Sequence, residues 1–164
     1  MKLLLVRHAA AVPRGTPGGH DDERPLTPKG KAKFTVAAKG LARIARRPEV
    51  LLTSPLPRAR ATAEIAARAF KRIEPTIEPA LAHESLDGIV AALGTHPVGA
   101  TVAIVGHEPT LSALLARLLG AAHGERFAFK KGGAALVDLP DGPTGLGVLL
   151  WFLKPKVLRA LAGD

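Results

Sequence analysis

Short, unbroken apolar runs alternate along this chain with segments whose apolar residues recur at three- and four-residue spacing. Leu3-Leu4-Leu5-Val6 is a wholly apolar run of strand character, too short to span a membrane. The Gly- and Pro-rich stretch from Pro13 to Pro25 is too interrupted for regular structure. Thr27 then reads as an N-cap with Pro28 at the first helical position. Phe34, Ala37, Ala38, Leu41, Ile44 and Ala45 follow at helical spacing until Pro48 stops the helix. Val50 to Thr53 reads as a buried strand, and Pro55 opens a second helix that runs to about Phe70. A short helix capped by Ser85 carries the stripe Leu86, Ile89, Val90 and Leu93. Thr101 to Val105 is another apolar strand, followed by Gly106-His107 and by a Leu-rich helix that Pro109 begins. Ala134–Leu139 and Gly147–Phe152 read as two late strands about the turn Pro140-Asp141-Gly142-Pro143.

Strand alternating with helix predicts an α/β protein: a three-layer α/β/α sandwich around a mostly parallel sheet, with helices on both faces. At 164 residues the simplest expectation is one domain over 1–164. No cysteine is present, which excludes disulfides and thiolate metal sites. The start lacks the features of a secretory signal, so a cytoplasmic protein without membrane attachment is expected. The net charge of +9 favours anionic partners. With no tyrosine and only 4% aromatics, however, little is available for a base-stacking platform, and nucleic acid is not an expected partner. The oligomeric state is left open.

Three of the strands end in chemistry. The first delivers Arg7-His8. The second delivers Thr53-Ser54-Pro55, with Arg58 one turn into a helix. The third delivers Gly106-His107-Glu108-Pro109. If these strands are parallel, their ends share one sheet edge. Two guanidinium forks, two imidazoles and two helix starts would then converge as a site for a dianion such as phosphate. A zinc site built from His8, His83, His107 and Glu108 is the alternative. The spacing matches no metal motif, and neighbouring arginines would repel a cation.

Val6-Arg7-His8-Ala9 resembles the Arg-His-Gly signature of the histidine phosphatase (phosphoglycerate-mutase-like) superfamily. Ser54-Pro55-Leu56-Pro57-Arg58-Ala59 through Thr62-Ala63 resembles its second motif, and Val105-Gly106-His107-Glu108-Pro109 its third. Between the first two, Arg24-Pro25-Leu26-Thr27-Pro28-Lys29-Gly30 is similar to the family's Pro-Leu-Thr segment. The motifs occur in family order. The Gly-His-Glu-Pro form and the ending Leu150-Trp151-Phe152-Leu153-Lys154-Pro155 look most like the SixA-type phosphohistidine phosphatases. Ala9 stands where the family has glycine, a small residue that still permits close approach. Arg14-Gly15 stand where many mutase-like members carry asparagine, which argues against sugar-phosphate mutase activity.

The resemblance implies a metal-independent phosphatase without a cofactor. His8 would be the nucleophile that becomes phosphorylated, with Arg7, Arg58 and a protonated His107 holding the phosphoryl oxygens. The candidate proton donor is Glu84, with Asp87 behind it. The implied substrate is phosphohistidine in a protein, the phosphorylated partner that a short connection from Ile73 to Leu86 and a shallow basic mouth would admit. Small phosphoesters are the alternative substrates, and a catalytically inactive phospho-ligand-binding module is the non-enzymatic reading.

Overall fold

The computed structural model describes residues 1–83 and 85–163. Six strands form one sheet: β1 (Lys2–Arg7), β2 (Val50–Thr53), β3 (Pro75–Ile77), β4 (Thr101–Gly106), β5 (Ala134–Asp138) and β6 (Val148–Leu153). Their order is β3-β2-β4-β1-β5-β6, with β3, β2, β4 and β1 mutually parallel and β5 antiparallel to both its neighbours. The helices are α1 (Pro28–Ile44), α2 (Pro57–Ala69), α3 (Leu86–Gly94), α4 (Thr110–Leu118) and α5 (Pro155–Leu161). The expected three-layer, mostly parallel architecture is present.

The sheet is buried on both faces, so its central strands are apolar at every position rather than at every second one. Leu4 and Val6 of β1 point with Ala103 and Val105 of β4 toward α1, α2 and α5. Leu3 and Leu5 point with Val102 and Ile104 toward α3 and α4. Helices α1 and α5 pack together where α1 carries Gly40. A Cβ built there would lie 1.8 Å from the Leu158 carbonyl oxygen, so this crossing admits only glycine. Among the described residues no helix is long and apolar enough to cross a membrane.

The structure corrects several boundaries. Helix α2 starts at Pro57, with Leu56 in the capping position and not at Pro55; α4 starts at Thr110, with Pro109 as its N-cap. The supposed simple connection from Ile73 to Leu86 contains β3, an edge strand of three residues that pairs with β2. Three residues are too few for a periodicity to register, and two of them, Thr76 and Ile77, are exposed. Helix α5 was also not expected. Its start signal is present, Lys154 in extended conformation before Pro155 at N1, but only Leu158 is buried along it.

Candidate active site

Strand β4 lies between β1 and β2, with Arg7 in register with Gly106 and Thr53 with Val105. The three carboxyl ends therefore meet at one edge, and the loop after each is pinned to its neighbour. The His8 amide donates to the Gly106 carbonyl, and the Ser54 amide to that of Val105, both at 3.0 Å. Arg7, His8, Arg58 and His107 line one cavity of about 430 Å³, joined by Pro13, Arg14, Arg24, Glu108 and Lys131. Sequence reasoning placed the first four together at a sheet edge, and the structure brings them together. Glu84 lies outside the described residues. His83 is exposed and does not line the cavity, and among the described residues no three potential ligands group as a metal ion would need.

His8 is 5% exposed, and its ring stands 5.1 Å from that of His107 between centroids. Its Nδ1 lies 2.7 Å from the Ala9 carbonyl oxygen. A carbonyl only accepts, so Nδ1 carries the proton and the Nε2 lone pair is free. Burial pushes the His8 pKa down to about 3. The Ala9 hydrogen bond works against this, while charge on His107, Arg58 and Arg7 adds to it. Removal from water is the larger cause, and the cationic neighbours add to it.

His107 departs from expectation. Burial, then Arg58, Arg24, Arg7 and Arg14, lower its pKa to about 4, so in the ligand-free protein it is neutral and not the expected imidazolium. Its Nε2 is 2.8 Å from the Ser54 hydroxyl, and its buried Nδ1 has no partner among the described residues. The Ser54 hydroxyl can donate to Nε2 or accept from it, and Nδ1 carries the proton in the first case.

The guanidinium groups are held by backbone. Arg7 donates from Nη1 to the Phe129 carbonyl, and the Phe129 amide donates to Glu108 at 3.1 Å. The other Glu108 oxygen accepts from the Ser112 hydroxyl. Glu108 thus braces the segment that aims Arg7, and its charge offsets part of the burial that lowers the Arg7 pKa. Arg58, 4% exposed, donates to the Asp21 carbonyl at 3.1 Å. Thr62, fully buried, accepts from the Ala9 amide at 3.0 Å and donates to the Arg58 carbonyl at 2.7 Å, tying the loop after His8 to the helix that carries Arg58.

Arg24, like Arg14 and Lys131, lines the cavity although reasoning from sequence did not place it in the site. It pairs with the Asp21 carboxylate at 2.8 Å and donates to the Val12 carbonyl at 2.9 Å. Its signal was its place immediately before Pro25-Leu26-Thr27. That segment puts α1 beside the site: the Thr27 hydroxyl accepts from the Gly30 amide at 2.9 Å, and a Cβ on Gly30 would stand 2.1 Å from the Ala10 carbonyl oxygen. Arg7, Arg14, Arg24, Arg58 and Lys131 against Glu108 make the cavity strongly cationic. Forked donors around a buried neutral imidazole suit a tetrahedral dianion.

The model of the histidine phosphatase superfamily (branch 1) matches residues 3–87. An uncharacterized protein of Picosynechococcus sp. (strain ATCC 27264 / PCC 7002 / PR-6) is 35% identical over 145 residues, covering 87% of this chain and 86% of its own. Among solved structures, a provisionally assigned phosphohistidine phosphatase SixA from Agrobacterium tumefaciens is 28% identical at TM-score 0.76, over 94% of this chain and 97% of that one. A provisionally assigned alpha-ribazole-5'-P phosphatase from Escherichia coli K-12 is 19% identical at TM-score 0.78, over 94% and 97%, a likeness of fold.

Proposed function

The chain belongs to the histidine phosphatase superfamily, and from that premise we propose that it removes phosphate from phosphohistidine in proteins through a covalent phosphohistidine on His8. The observation that carries this reading is the state of His8: neutral, its Nδ1 proton committed to the Ala9 carbonyl, its Nε2 lone pair left for phosphorus. In the first step that lone pair forms a P–N bond while the bond from phosphorus to the substrate nitrogen breaks. In the second, water attacks phosphorus, the bond to His8 breaks, and inorganic phosphate leaves. Arg7, Arg24, Arg58 and His107 hold the oxygens and stabilise the charge that spreads over them in the transition state. A bound dianion would favour protonation of His107, so its charge would follow substrate binding. We read the site as needing no metal, since the guanidinium groups supply the positive charge.

Two features support a protein substrate over a small ester. Of the described residues lining the cavity only Pro13 is apolar, so little wall is available to enclose an organic leaving group. An imidazole leaving group also departs with far less help from a fixed acid than an alkoxide does. Glu84 is the proposed donor for the harder ester reaction.

The test compares a phosphohistidine peptide with p-nitrophenyl phosphate and common sugar phosphates, in wild type and His8→Ala, with and without EDTA. The expected outcome is a higher kcat/KM for phosphohistidine, no turnover by His8→Ala, and no effect of EDTA. A quenched turnover should also trap acid-labile phosphate on His8. Preference for one small ester would assign the site to that ester, and turnover by His8→Ala would remove His8 as nucleophile.

A further inference from the structure

The cationic surface does not stop at the catalytic cavity. Lys131 also borders a second hollow of about 140 Å³, formed where the first turn of α1 meets α5. Its floor is apolar, with Ala9, Phe34 and Pro155 at its base. Its rim is cationic: Lys29, Lys33 and Lys131 are exposed, and Arg159 is half-buried. The hollow is held rigidly to the site. The Gly132 amide is 3.1 Å from both the Arg7 and His8 carbonyls, and the Thr27 amide donates to the Ala10 carbonyl at 3.0 Å.

Among the described residues no carboxylate pairs with that rim. None of the chain's 14 aspartates and glutamates falls within 24–48, 126–137 or 142–163, the segments that supply the rim. Helix α1 lacks even the acidic residue in its first turn that its dipole would favour. Four cations around an apolar floor, unpaired among the described residues, repel one another, and the repulsion is relieved when anionic groups arrive. A phosphate in this hollow would meet an apolar floor, whereas an apolar side chain flanked by carboxylates matches both floor and rim.

We propose that this hollow docks an acidic segment of the phosphoprotein substrate, with one apolar side chain on the floor and neighbouring carboxylates on Lys29, Lys33, Lys131 and Arg159. The proposal rests on the protein-phosphohistidine reading of the adjoining cavity. It makes substrate selection electrostatic and places it outside the reacting atoms, so it should act on encounter and binding more than on chemistry.

Two phosphohistidine peptides of equal length test it, one flanked by Leu and Asp and the other by Leu and Lys, at low ionic strength. Wild type should favour the acidic peptide in kcat/KM by about tenfold or more, a preference that fades in high salt. The double variant Lys29→Glu/Lys33→Glu changes two exposed side chains. It should reduce the preference to about threefold or less while leaving phosphoramidate hydrolysis unchanged. Equal turnover of both peptides by wild type overturns the proposal, as does a preference that survives the double variant. If neither peptide is cleaved, fluorescence anisotropy of both on His8→Ala separates the two readings. An acidic preference in binding that Lys29→Glu/Lys33→Glu abolishes upholds the docking surface while the phosphohistidine reading fails. Equal binding ends the docking proposal.

Discussion

Thr62 offers the sharpest test of how the site is held. It is fully buried, and its hydroxyl spans two pieces of the site, accepting from the Ala9 amide at 3.0 Å and donating to the Arg58 carbonyl at 2.7 Å. Thr62→Val keeps the side-chain volume, so no cavity term enters. It leaves the buried Ala9 N–H without an acceptor, whereas the Arg58 carbonyl loses only a second donor. An orphaned buried amide costs about 1–3 kcal/mol, so the loss should be about 2 kcal/mol, or roughly 4–8 °C in Tm at this chain length. The same residue carries, on the peptide unit that follows, the Ala9 carbonyl that fixes the His8 tautomer. As the amide shifts to find a partner, the Ala9 backbone shifts with it and draws that carbonyl off Nδ1, and kcat/KM should fall by at least about tenfold, the worth of one misplaced hydrogen bond. Thr62→Ser keeps the oxygen and loses a methyl group, and it should retain both activity and more stability than Thr62→Val. Urea denaturation and steady-state hydrolysis on the three proteins read both quantities. If Thr62→Val is as stable as wild type, or if Thr62→Ser is the more damaging change, the hydroxyl bridge is not what holds the loop after His8.

Acid stability should depend on His8. Its folded pKa of about 3 lies below the unfolded value, so the unfolded chain takes the proton first and stability falls as pH drops from about 6.5 toward 3. Between pH 7.5 and pH 5 wild type should lose about 2 kcal/mol that His8→Gln keeps, and urea midpoints at the two pH values check this. Glu108→Ala should lower kcat/KM by about tenfold by freeing the Phe129 segment that aims Arg7, whereas Glu108→Gln, which still offers an acceptor to the Phe129 amide, should stay within about threefold. Arg24→Met should weaken inhibition by inorganic phosphate by about tenfold with little change in fold, and unchanged inhibition would remove Arg24 from the anion site. Glu84→Gln should slow ester hydrolysis more than phosphohistidine hydrolysis; equal slowing would mean that it does not protonate the leaving group.

Much of this was legible in the chain before folding. A strand buried on both faces must be apolar throughout, so Leu3–Val6, Val50–Thr53 and Thr101–Val105 declared themselves without any partner in view. The catalytic candidates sit directly after those runs, and a parallel arrangement puts such ends on one edge. Local chemistry likewise announced the Thr27-Pro28 start of α1. What stayed hidden depends on contacts between segments distant in sequence. Edge strand β3 is defined by its pairing with β2, and α5 by its crossing against Gly40. Arg24 enters the site because Asp21 and the Val12 carbonyl turn it inward, and no spacing rule encodes that turn. The charge state of His107 was the least legible. An imidazole's pKa follows the water it loses and the cations it faces, and both are set only when Ser54, Arg58 and the loop after β1 close around it.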